Sequence, residues 1–388
     1  MFQIADSKRR VSAEFTTATA RRHRSALHPI TLTRSIDRSI AMPDAYSPSA
    51  APIRRLRSQA KVMRRAALIA VVAAGTALIG LPRAQAQSSS AYPDRPVRLV
   101  IPFTPGGGTD VIGRMLAHAL RGPLGQPIVV ENKPGAAGAV GSQLVVQAAP
   151  DGYTLLFAPV GSLTITPNLP GTKASFDPLN DLTPVGLVAR QPVLLVASAK
   201  LGVADMKTML ALAAQRRLTY GTPGTGTELH LIGETFRQAT RTELTHVPYR
   251  GGGPAITDLI AGNIDLMVVV TSSILPHIRS GAVKPLVTTD TKRLDSLPEV
   301  PTTAEVGLAQ VDGTASWGVL APKGLPAAVL DKLQQALQAA ARDAEFAGRV
   351  REAGAIVVPL GATEFSQYLR RESDSWRKVI VAGGLRAD

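Results

Sequence analysis

From Arg98 onward, short runs of β-branched and aliphatic residues alternate with stretches of helical periodicity. That alternation constrains the fold more than any other feature, because strand–helix–strand order implies a sheet covered by helices. Arg98-Leu-Val-Ile-Pro-Phe103 reads as a strand, and in the helix expected over 110–120 Val111, Met115, Leu116 and Leu120 share one face. Strands are expected at 127–131 and 154–157, separated by a small-residue stretch over 136–148.

A Pro/Asp-rich loop at 167–184 leads into an extended run at 187–197, read as a crossing into a second lobe. That lobe alternates again: helix 204–214, strand 218–221, helix 227–239, strand 244–249, helix 254–261 and strand 266–270. Residues 297–307 look like a return connection, followed by a strand at 317–321 and a helix opened by Pro326 with Val329, Leu330, Leu333 and Leu337 on its apolar stripe. A last helix near 363–381 stops at Gly383-Gly384. The expected domains are therefore 87–190 with 311–388 as lobe 1, and 191–310 as lobe 2.

Ahead of these lobes, Met63-Arg64-Arg65 precedes an apolar run over 66–81 and then Ala84-Gln85-Ala86. A charged start, an apolar middle and a small-x-small end describe an export signal over 63–86, cleaved after Ala86. The 16 apolar residues fall short of the ~20 that cross a bilayer. Residues 1–62 are basic and Ser/Thr-rich, and are read as a start-site artefact or a disordered extension, with translation beginning at Met63.

The net charge of +14 invites a nucleic-acid or membrane partner. Its distribution argues otherwise, since from Gln87 onward 28 basic residues face 25 acidic ones. No nucleic-acid partner is expected, and a monomer is. The absence of cysteine removes disulfides, thiolate metal sites and thiol nucleophiles. The six histidines (His23, His28, His118, His230, His246, His277) show no metal-ligand spacing, although His230 and Glu234 share a helix face. No metal or cofactor is expected.

Two strand–glycine turn–helix junctions carry the chemistry. Phe103-Thr104-Pro105-Gly106-Gly107-Gly108-Thr109-Asp110 leaves its amides unobstructed at a helix start, where the free N–H groups and the dipole favour an anion. Val111 and the absence of Gly-Lys-Ser/Thr exclude nucleotide-binding loops. Thr222-Pro-Gly-Thr225-Gly226-Thr227-Glu-Leu-His230 repeats the arrangement in the other lobe, with Thr225 or Thr227 as the cap. Both junctions, converging in one cleft, would suit a carboxylate or phosphate. No motif for hydrolysis or phosphoryl transfer occurs, so an enzyme that uses the 106–108 amides as an oxyanion hole is the weaker alternative.

Three segments, Tyr92-Pro-Asp-Arg-Pro-Val-Arg-Leu-Val-Ile-Pro-Phe-Thr-Pro-Gly-Gly-Gly-Thr-Asp110, Leu124-Gly-Gln-Pro-Ile-Val-Val-Glu-Asn-Lys-Pro-Gly-Ala-Ala-Gly138 and Pro150-Asp-Gly-Tyr-Thr-Leu-Leu156, resemble the substrate-binding proteins of tripartite tricarboxylate transporters, the Bug family of extracytoplasmic solute receptors. His246-Val-Pro-Tyr-Arg-Gly-Gly-Gly253, Val300-Pro-Thr-Thr-Ala-Glu-Val-Gly307 and Trp317-Gly-Val-Leu-Ala-Pro322 continue it in order. The resemblance implies a type II-like, two-lobed periplasmic binding protein, each lobe a mostly parallel sheet flanked by helices, closing on a small carboxylate-bearing ligand. It implies that the loops 103–110 and 222–230 hold one carboxylate while residues near Ser162, Tyr249 and Thr271 meet the rest. Transporter membrane subunits are the implied partner, with a periplasmic sensor as the alternative role.

Overall fold

The computed structural model describes residues 92–172 and 176–386; the expected extension over 1–62 and export signal over 63–86 lie outside them. Helices of five residues or more are numbered below. β1 (Val97–Ile101), α1 (Gly108–Ala119), β2 (Ile128–Asn132), α2 (Ala139–Val146), β3 (Thr154–Pro159) and α3 (Val160–Thr164) open the chain. β4 (Leu182–Ser198), α4 (Met206–Ala213), β5 (Leu218–Thr222), α5 (Glu228–Thr240), β6 (Leu244–Pro248), α6 (Gly252–Ala261), β7 (Leu266–Val270), α7 (Thr271–Arg279) and β8 (Val283–Thr288) follow. β9 (Thr314–Pro322), α8 (Ala327–Arg342), α9 (Ala344–Glu352), β10 (Ile356–Leu360) and α10 (Ala362–Gly383) complete it.

Two sheets share one strand. The first runs β2-β1-β3-β9-β4, with β10 also on β4; the second runs β6-β5-β7-β4, with β8 also on β4. β4 makes this possible by changing partners at one point: Leu182 through Pro192 face β9, whereas Val193 through Ala197 face β7. Its Val193-Leu-Leu-Val-Ala197 run is buried throughout, as a strand enclosed on both faces requires. Each sheet is mixed, a correction to the mostly parallel sheets expected. β1 pairs β2 and β3 in parallel and β5 pairs β6 and β7 in parallel, but every contact of β4 and β9 is antiparallel. The reason is topological: the chain crosses between lobes along β4 and returns along β9, so the two crossing strands must run in opposite directions.

Local chemistry explains the elements. The buried stripe of α1 runs through Ile112, Leu116 and Leu120, with Val111 and Met115 on its flank. α10 stops at Gly384, whose φ of 59° is left-handed backbone that glycine adopts without strain. The core includes Trp317, Tyr220, Phe157 and Phe365 among its fully buried side chains. Strands β8 and β10 and the helices α3, α7 and α9 lie outside the elements expected from sequence periodicity. Pro285 and Pro276 obscure β8 and α7, and β10 is partly exposed, so its apolar signal is weak.

Candidate functional site: a cleft of glycine turns

The first glycine turn joins β1 to α1 and is shaped by Asp110. Its carboxylate accepts from the Gly106 amide at 3.1 Å, from Arg114 Nε at 2.9 Å and from Asn132 Nδ2 at 2.9 Å. Asn132, at the end of β2, donates also to the Phe103 carbonyl at 3.0 Å. Burial pushes the Asp110 carboxyl up, but the bonds from Arg114, Asn132 and Gly106 outweigh it and hold the group below the ordinary range. Thr109 is buried, and its Oγ1 accepts from Trp317 Nε1 at 3.0 Å. Gly107 is the N-cap of α1 and supplies no capping side chain, so nothing covers the amides that open this helix from that position.

The second turn joins β5 to α5 and is pinned from behind. Thr227 caps α5, its Oγ1 accepting from the His230 amide at 3.3 Å and donating to the Gly224 carbonyl at 2.8 Å. The Gly226 amide donates to His230 Nδ1 at 3.3 Å, and Thr222 Oγ1 lies 2.7 Å from His246 Nε2. The two imidazoles stack with centroids 4.3 Å apart. Burial, then the neighbouring His230, pushes His246 down to about 3, so the His246 imidazole supports the turn in its neutral form.

A third glycine turn, at the start of α6, closes against the first. A methyl group on Gly253 would lie 2.3 Å from the Pro105 carbonyl oxygen, and one on Gly107 would lie 3.1 Å from the Gly252 amide nitrogen. Backbone from the first lobe thus touches backbone from the second, and only glycine permits the approach. Three glycines opening a helix after a strand was the available signal for this turn, identical in kind to that at 106–108.

The structure brings the first two junctions to one cavity. Phe103, Gly107, Gly108 and Thr109 line it with Thr227 and Glu228, and Trp317, Val270, Gly252 and Ser273 are also in its wall. Its volume is ≈ 30 Å³, room for little more than a water molecule. Pro105 and Gly106 form the exposed tip of the first turn, and Thr104 Oγ1 is buried beneath Gly251. Gly226 packs toward Thr166.

The remaining expected residues are distributed around this centre. Ser162, in α3, is buried with no hydrogen-bond partner for its Oγ among the described residues. Thr225 and Tyr249 line a second cavity of ≈ 330 Å³, with Ala136, Ala137, Thr166 and Arg250. The Tyr249 hydroxyl donates to Asp258 at 2.6 Å. Thr222 and His230 support the second turn from behind, and Thr271 donates to the Pro192 carbonyl at 3.4 Å, at the point where β4 changes sheets.

The model of the tripartite tricarboxylate transporter family receptor matches residues 112–385. The chain belongs to that family. This tripartite tricarboxylate receptor is 31% identical to Protein BugT of Bordetella pertussis, over 84% of this chain and 99% of that one. The solved structure of the periplasmic binding protein BugD is similar at 33% identity and a TM-score of 0.73, covering 76% of this chain and 99% of that one. MatC from Rhodopseudomonas palustris with bound malate is similar at 30% identity and a TM-score of 0.70, covering 74% of this chain and all of that one. The shared fold is that of a periplasmic binding protein.

One feature of this receptor's cleft had no sequence signature. Glu228, the first residue of α5, is 5% exposed and its Oε2 has no hydrogen-bond partner among the described residues. Its carboxyl lies against Gly161 of the other lobe, where a methyl group would come within 2.1 Å of Oε2. Burial pushes it up to about 7; its own amide opposes the rise, and Glu372 adds to it.

Proposed function

We propose that this receptor captures a small carboxylate-bearing solute between its lobes and presents it to the membrane subunits of a tripartite tricarboxylate-type transporter. Lobe 1 comprises 87–190 with 311–388 and lobe 2 comprises 191–310. Export by a cleaved signal over 63–86 delivers the chain to the periplasm, where it works as a monomer.

The observation that carries this reading is the meeting of two glycine turns, each opening a helix, at one cavity from opposite lobes. Helix starts supply oriented amides for an anion without needing a lysine or arginine. The malate in MatC is a solute of the same chemical class. A carboxylate in contact with both turns has a higher affinity for the closed arrangement than for the open one, and that difference drives closure.

The Gly107→Val substitution tests the reading, because the added side chain would enter the space beside Gly252. In calorimetric titrations with a panel of dicarboxylates, tricarboxylates, amino acids and aromatic acids, the wild-type chain binds at least one. The variant, folded by circular dichroism, loses at least a hundredfold in affinity for it. Unaltered affinity would remove the first turn from the site.

A further inference from the structure

Glu228 is a buried acid with no positive partner among the described residues. It sits at the cavity where the two glycine turns meet, with Oε2 unpaired among the described residues. Gly161, Glu372 and Tyr368 face it from α3 and α10, and none of them carries positive charge. The start of α5 favours the ionised form through the helix dipole and through the residue's own amide. A buried charge of this kind is unfavourable unless something pairs with it.

We propose that Glu228 makes the cleft selective for carboxylates that also carry an ammonium group, that is amino acids, by accepting hydrogen bonds from that group at Oε2. This rests on the carboxylate-receptor reading above. The amides at the starts of α1 and α5 take the solute's carboxylate, and Glu228, at the start of α5, takes the charge of opposite sign. A solute lacking the ammonium would bring a second negative charge against the first in an enclosed cavity, so the same residue that attracts one class rejects the other.

Matched pairs differing only in the amino group test this at pH 8: succinate with aspartate, glutarate with glutamate, propionate with β-alanine, and 3-phenylpropionate with phenylalanine. In calorimetric titrations of the wild-type chain, the aminated member of each pair that binds is at least tenfold tighter. Glu228→Gln, nearly equal in shape and with an amide that can donate to a carboxylate, brings the two members to within about threefold. A Glu228→Met variant of similar length, folded by its thermal transition, does the same without adding a donor. A wild-type chain that binds the non-aminated members equally or more tightly, or a Gln variant that keeps the preference, overturns the proposal and leaves the receptor reading intact. Failure to bind any member of the pairs or any carboxylate of the wider panel contradicts the receptor reading itself, and the proposal falls with it.

Discussion

Glu228 also sets how the ligand-free protein responds to pH. Burial pushes it up to about 7, against 4.5 for an unperturbed glutamate, so the folded chain holds this proton more tightly than the unfolded chain does. Stability from the protonated form is therefore complete below about pH 4.5 and is lost as pH rises through 7, by about 3 kcal/mol in all. Glu228→Gln removes this dependence. Thermal unfolding without ligand should show the variant more stable than wild type at pH 8, with the difference vanishing by pH 4. Parallel pH profiles for the two chains would mean that the carboxyl is not buried as described. Neither the burial nor the missing partner can be read locally, since Thr227-Glu228 looks like an ordinary capped helix start; both arise when Gly161 of the other lobe arrives against it.

The glycine turns act as elements held in shape by side chains around them, some in the cavity wall, such as Trp317 and Thr227, and some outside it. Asn132 ties the end of β2 to the Phe103 carbonyl, to Asp110 and to Arg114. Replacing it with alanine should lower affinity for the bound carboxylate about tenfold, measured by calorimetry, while costing stability only about 1–3 kcal/mol. Unaltered affinity would show that the turn holds its shape without Asn132. Both turns were legible in the sequence because glycine runs between a strand and a capped helix are local signals. The supports were not, because Asn132 lies 29 residues beyond the Phe103 carbonyl it serves and Trp317 lies 208 beyond Thr109. His230 illustrates the same limit. Its place in the second turn was evident, but its ring pairs with Gly226 and stacks on His246, so it shapes the turn from behind. The strand–helix alternation was legible where periodicity was clean, and failed where proline interrupts α7 and β8.

At the scale of the molecule, one 17-residue strand belongs to both sheets, changing partners between Pro192 and Val193. Gln191 is fully buried there, donating to the Ala353 carbonyl at 2.8 Å and accepting from Ser272 Oγ at 2.8 Å. Those bonds join α7 of one lobe to the end of α9, so the crossing is braced on both sides. The glycine contacts between Pro105, Gly107, Gly252 and Gly253 bring the turns that open α1 and α6 backbone to backbone. The most direct test is a crystal structure of the protein purified with the solute it retains. The account predicts a carboxylate within hydrogen-bond reach of the amides opening both α1 and α5, enclosed between the lobes. A solute that touches one lobe alone, or sits outside the cavity walled by Thr109, Glu228 and Trp317, would contradict it.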